Sequence, residues 1–316
     1  MISSNERSNQ LTGFLFAFFS TITLSGGYMF SKAALNQVDL FHFGFYWFGF
    51  ATVWNFIFIF KIRKKIKLSS ISRKGWLAIL GNTFCEVVGS SLFYIAIQQM
   101  ENPAIVSFFV NMGAVFILIL GYFFLKERFN PIEYFGIGIT LFGVFLINYH
   151  TDSRIAGSSI TGVWLIVGST FFIALAIVIA KKAVKSIQPV ILTTGRIVTL
   201  FLISFLFLIT NNESFTVPAS TIVNTLLGSF MGPFLALLTS YYALKYIEAS
   251  FVTVISSTKG FFLVILTYFV FSIQISHYQL LGGLATIVGI ILISLGKRIL
   301  KLITTNIIKK ANAEIS

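Results

Sequence analysis

Three ionisable side chains stand inside long apolar stretches, where charge is costly: Glu86, Arg196 and Lys259. A buried charge in such a setting must face a cavity or a partner, at a cost of at least ~2.5 kcal/mol. Lys259 lies near the middle of its run, beside Thr253, Ser256 and Ser257, which continue a polar strip along one helix. It reads as a substrate contact, with a structural ion pair to Glu86 as the alternative. Glu86 is the acidic residue at the centre of its run. Asn82, Glu86, Gly89 and Phe93 recur at i, i+4, i+7 and i+11, one helical face. That stripe reads as cavity lining, against a protonated carboxyl bonded to a neighbouring helix. Arg196 is close enough to a run's end to snorkel, and is also a candidate contact. Asn111 is placed to donate a hydrogen bond, and Ser256 belongs to the Lys259 strip. Trp47, Tyr94, Tyr241 and Tyr242 could wall a cavity, against the interfacial belt that aromatics near helix ends usually form. Lys32, at the end of the first run, reads as an interfacial anchor. The chemistry available is recognition of a small polar molecule bearing negative charge.

The elements that must hold these residues are membrane spans. Hydrophobic residues make up 56% of the 316 and charged ones only 10%, against roughly 25% charged in soluble domains. Ten apolar runs are expected as helices near 11–34, 40–60, 75–97, 103–125, 130–150, 160–180, 189–210, 222–245, 249–272 and 277–296. Each approaches the ~20 residues that cross a bilayer. The polar lead before the first run has no signal-peptide pattern. The basic tail, 297–316, is expected to be cytoplasmic, as a helix on the membrane surface. A net charge of +13 could serve nucleic acid, but the basic residues sit in short loops between spans, so no nucleic-acid partner is expected. The three histidines are dispersed and no H-E-x-x-H, G-x-S-x-G or P-loop pattern occurs, so neither an enzyme, a metal nor a cofactor is expected.

The chain repeats itself. Phe93–Ile147 aligns with Tyr241–Ile293: Ala96 with Ala243, Tyr122 with Tyr268, Gly136 with Gly282 and Gly143 with Gly289. Basic residues gather in alternate loops, at 61–74, Lys126 and Arg128, 181–185 and after 296, while the other side carries Arg154. By the positive-inside rule both termini are cytoplasmic. The loop after the first run, NQVD, has no basic residue, whereas its counterpart is KKAVKS. An odd number of spans per copy inverts the second. The fold class is therefore an all-α integral membrane protein: ten transmembrane helices as two inverted five-helix repeats, over 1–150 and 151–296. Such repeats recur in secondary transporters, with the substrate near the midplane.

The Tyr94-x-Ala96 and Tyr242-Ala243 stretches, the Lys126-Glu127-Arg128 bridge and the Gly-x6-Gly pairs at 136/143 and 282/289 resemble the EamA family of the drug/metabolite transporter superfamily, over roughly residues 12–296. The second copy lacks the acidic bridge residue. Its Ser257-Thr258-Lys259-Gly260-Phe261-Phe262 stretch is instead similar to that region of nucleotide-sugar and sugar-phosphate transporters. The resemblance implies a secondary transporter working by alternating access. It would carry a small polar metabolite, amino-acid-like or another organic anion, as an exporter in a bacterial inner (plasma) membrane. An organophosphate or nucleotide-sugar-like exchanger is the alternative, and a non-transporting scaffold or receptor the alternative of another class. The partners expected are the small-molecule substrate and the lipid bilayer, with the protein a monomer or homodimer.

Overall fold

A chain this apolar can satisfy its backbone polar groups inside a bilayer only by closing them within helices. In the computed structural model, helix accounts for nearly all of the described residues, 4–66, 68–99, 103–149, 160–271 and 277–315, and no strand occurs among them. The helices are α1 (Ser4–Leu35), α2 (Leu40–Ile62), α3 (Arg73–Gln99), α4 (Pro103–Leu120), α5 (Pro131–Tyr149), α6 (Ile160–Ala183), α7 (Pro189–Thr210), α8 (Ala219–Ser229), α9 (Leu237–Tyr246), α10 (Ala249–Ser257), α11 (Lys259–Phe271) and α12 (His277–Ile315). Among the described residues, six helical segments are long and apolar enough to cross a membrane: Ser8–Leu35, Leu40–Ile62, Arg73–Ala96, Thr161–Ala183, Pro189–Thr210 and Ala219–Tyr246. Shorter apolar helical stretches cover Phe109–Leu125, Pro131–Leu146, Ala249–Leu263 and Leu280–Gly296. Large side chains such as Phe123, Trp164 and Phe135 lie bare on the outside. Such a surface suits hydrocarbon and would aggregate in water. The protein is an all-helical integral membrane protein.

Local signals set the helix starts. Pro103, Pro131 and Pro189 open α4, α5 and α7, where a missing N–H costs nothing. Asp39 caps α2, its Oδ1 accepting from the backbone N–H groups of Phe41 and His42 at 2.8 and 3.2 Å. Asn130 and Glu133 form a reciprocal capping box at the head of α5.

Two apolar runs that the sequence reads as continuous are modified. Phe230–Ala236, between α8 and α9, is a π-helical turn around Pro233, because proline cannot donate to the helical ladder. The run 249–272 breaks at Thr258, so that α10 ends at Ser257 and α11 begins at Lys259. The Ser257 and Thr258 hydroxyls bond back to the Val254 and Ile255 carbonyls, each at 2.7 Å. This competes with the ladder and favours a bend. The tail also differs from expectation: α12 continues unbroken to Ile315 rather than giving way to a separate surface helix. The Arg154 loop and the bridge at 272–276 lie outside the described residues.

The helices assemble in pairs. α5 packs on α12, α3 on α6, α2 on α7, and α1 against α8 and α9. Gly136 and Gly143 of α5 meet Gly289 and Gly282 of α12 so closely that a Cβ on Gly143 would stand 2.6 Å from the Gly282 carbonyl oxygen. Gly138, on the same helix, makes no such approach: nothing lies within 4 Å of where its Cβ would be. The largest apolar cluster gathers Phe14 and Ala17 of α1 with Tyr241, Leu244, Ile247, Phe251 and Ile255 of α9, α10 and the turn between them. It seals the bundle at the end away from the α1–α2 turn.

Candidate functional site

A cavity of about 620 Å³ opens at the other end, where Lys32 and Asn36 line its mouth. It descends between α1, α3, α4, α6, α7 and the broken helix. Glu86, Arg196, Lys259, Asn111, Tyr94, Trp47 and Ser256 all line it. The structure therefore brings these candidates to one cavity, while Asn82, Gly89 and Tyr242 do not line it.

Glu86 is 2% exposed. Its Oε2 lies 3.3 Å from Arg196 Nη1, and its Oε1 accepts from the Tyr241 hydroxyl at 2.9 Å. Asn82 stands one turn before Glu86 on α3. It is fully buried, donating to the Tyr241 hydroxyl at 3.1 Å and to the Ala176 carbonyl at 2.9 Å. It thus supports the wall from behind rather than lining it, a correction to its expected role. The network ties α3, α6, α7 and α9 together at the floor of the cavity.

Four further expectations are corrected. Glu86 pairs with Arg196, not with Lys259, because α7 packs beside α3. Arg196 accordingly turns inward instead of snorkelling. Lys32 faces the cavity mouth as well as the exterior, since the face of α1 carrying Ser20, Leu24, Tyr28 and Lys32 is the one turned to the cavity. Tyr242 leaves the wall to Tyr241 and stacks on Phe16 at 5.6 Å, as a neighbour about 100° round the helix must.

Lys259 begins α11 beside the break, and its carbonyl accepts from the Ser25 hydroxyl at 3.1 Å. Among the described residues no carboxylate pairs with its ammonium. Two other polar groups here have unused capacity: Arg196 Nε and the Ser90 hydroxyl are buried without a hydrogen-bond partner. Ser90 was legible as the next turn beyond Glu86 on α3. Among the described residues, no cluster of His, Cys, Asp and Glu converges to hold a metal ion.

The segment below Lys259 is held at its base. Glu127, 6% exposed, accepts from the Ala249 and Ser250 backbone N–H groups at 2.7 and 3.2 Å and from the Ser250 hydroxyl at 2.5 Å. A carboxylate there meets the orphan donors and positive end of α10. Lys181 donates to the Leu244 and Ile247 carbonyls at 2.7 and 2.5 Å, capping the end of α9.

The model of the EamA-like transporter family matches residues 11–149 and 160–295. The chain belongs to that family. This EamA-like transporter is 24% identical, over 271 residues, to an uncharacterized transporter of Archaeoglobus fulgidus; the match covers 85% of this chain and 92% of the relative. A solved crystal structure superposes with a TM-score of 0.74 at 15% identity, covering 93% of this chain and 98% of the other. At that identity the likeness is one of fold. The EamA-like transporter is thus a membrane transporter of the drug/metabolite type, and the Glu127 that marks its bridge is the cap of α10.

Proposed function

We propose that the protein is a ten-span, inverted-repeat secondary transporter that carries a small organic anion by alternating access. The observation that carries this reading is the state of the cavity charges. Glu86 is already neutralised by Arg196, whereas Lys259 heads a half-helix beside the cavity with no acidic partner among the described residues. Lys32 adds positive charge at the mouth. A cavity of that sign favours a carboxylate or phosphate, and a broken helix presenting its N-terminal end is a recurrent device for an anionic group in transporters. Trp47, Tyr94 and Asn111 would contact the rest of the substrate.

The packing supports the repeat reading. Contacts of α3 with α6 and of α1 with α8 and α9 are the pair that an inverted twofold would exchange, while α2–α7 and α5–α12 would map onto themselves. The six long and four shorter apolar stretches agree with ten spans. The positive-inside pattern of the loops supports a cytoplasmic position for both termini, and a bacterial inner membrane is the membrane proposed. On that orientation the cavity faces outward, the release-competent state of an exporter. The convergence of Lys32, Arg196 and Lys259 on one cavity keeps the organophosphate exchanger as a second reading. Monomer and homodimer both fit it.

Purified protein is screened by thermal shift against carboxylates and organophosphates, and hits are tested for flux in proteoliposomes. Lys259→Ala should abolish binding and flux while retaining the wild-type elution profile and helix content. Unchanged affinity in that variant refutes the anion reading, and binding without flux favours a receptor. Cysteines placed at Lys64 and Lys185, with Cys85→Ser, should resist impermeant thiol reagents in whole cells; labelling from outside overturns the orientation.

A further inference from the structure

A second concavity lies at the sealed end of the bundle, remote from the transport cavity. It has a volume of about 470 Å³ and is framed by the α4–α5 bridge, the end of α6 and the α9–α10 turn. Its basic residues are Lys126, Arg128, Lys181, Lys182 and Lys185; its acids are Glu127 and Glu248. Two of these charges are committed inward. Glu127 is buried against the head of α10, and Lys181 is bonded to the end of α9. The remaining groups are four cations against Glu248, and Lys126, Arg128, Lys182 and Lys185 are all exposed.

The setting narrows the ligand. Phe123 and Phe124, on the turn leading into the bridge, are 71% and 58% exposed. Phe124 itself lines the pocket, so the basic pocket and a bare aromatic surface adjoin at a membrane edge. Arg128 lies over the Tyr122 ring at 4.2 Å, which holds one cation at that edge. A soluble anion would use the cations and leave the aromatic surface bare. A phospholipid meets both, with its phosphate among the cations and its chains along the aromatics. Basic pockets between spans on the cytoplasmic side recognise such headgroups.

We propose that this pocket binds the headgroup of an anionic phospholipid. The lipid would sit against the turn joining α9 to α10 and bridge it to the α4–α5 bridge, stiffening the sealed end.

The full-length protein is purified in a neutral detergent, and phosphatidylglycerol or phosphatidylcholine is titrated in mixed micelles, with bound lipid read by native mass spectrometry. Wild type should retain phosphatidylglycerol preferentially. Lys182→Gln/Lys185→Gln should weaken that retention about thirtyfold, from roughly five- to sixfold per lysine near a charged lipid. Lys61→Gln/Lys64→Gln removes the same charge elsewhere and should retain the lipid as wild type does. Inorganic phosphate at millimolar concentration should not displace it. Equal retention of both lipids, or a loss as large in the Lys61/Lys64 control, overturns the site. Displacement by phosphate overturns the lipid assignment in favour of a free anion. None of these readouts depends on transport, so failure here leaves the substrate reading untouched.

Discussion

Glu86 and Arg196 should be tested as a pair, by Glu86→Gln, Arg196→Gln and the double variant. At 3.3 Å and an effective dielectric of about 20, their attraction is roughly 5 kcal/mol, and much of it offsets the cost of taking both charges out of water. Removing one partner leaves the other charge buried and unpaired, which typically costs ~3–5 kcal/mol. Arg196→Gln should fall in that range, because a carboxylate only 2% exposed keeps just the Tyr241 hydroxyl. Glu86→Gln should cost less, about 2–3 kcal/mol, since the amide oxygen still accepts from Tyr241 and Arg196 is 21% exposed. The double variant should be less destabilised than the sum of the two by about 2 kcal/mol or more. Reversible unfolding in mixed micelles measures all three. The functional sign is opposite for one of them. Glu86→Gln releases Arg196 to the cavity, so an anionic ligand should bind roughly tenfold tighter, about 1.4 kcal/mol, to a less stable protein. Additive destabilisation within about 0.5 kcal/mol, or weaker anion binding in Glu86→Gln, would refute the charge assignment.

Glu127→Ala strands the head of α10 and should destabilise by about 2–4 kcal/mol, with faster amide exchange confined at first to residues 249–252. Uniform exchange, or none, contradicts the cap. Gly143→Leu should force α5 from α12 and lower the melting temperature sharply, whereas Gly138→Leu, with nothing within 4 Å, should leave it nearly unchanged; equal effects would dismiss the close approach. Asp39 is partly desolvated, which alone would raise its pKa, but hydrogen bonds from His42 and Phe41 outweigh this and hold it below its ordinary value. A depressed carboxyl stabilises the fold above its unfolded pKa and loses that contribution as pH falls through the folded one. The Asp39 contribution at the N-terminal end of α2 should therefore be lost in acid, below about pH 4. Asp39→Asn should flatten that acid limb in a stability-against-pH profile.

The cost of charge in hydrocarbon made Glu86, Arg196 and Lys259 legible at once, and apolar run length found most helix ends within a few residues. The partner of Glu86 was not legible. It depends on which helices are neighbours, and a mid-span position has the same appearance whether α7 or α11 lies beside it. Lys32 was misread because its place in the cavity depends on how α1 is rotated about its axis, which a helix apolar on most faces does not declare. The break at Thr258 left a faint trace in consecutive hydroxyl residues, but serine and threonine also sit quietly in unbroken spans when their neighbours can absorb the back-bonding. The Gly136 and Gly143 pairing with Gly289 and Gly282 was half visible: the repeated glycine spacing stood out in the sequence, and the partner came only from the packing.

The Glu127 cap determines where the molecule can flex. α10 follows α9 in sequence, yet its base is welded to the α4–α5 bridge by three hydrogen bonds to one buried carboxylate. At its upper end the chain is already parted at Thr258. A small change in backbone angles there breaks no such cluster, so motion should concentrate at Thr258 while α10 rides with the α4–α5 bridge. If the protein works by the alternating access proposed above, the moving bodies need not coincide with the two family-matched segments of the chain: α10 would travel with the α4–α5 bridge, and Lys259 would stand on the seam.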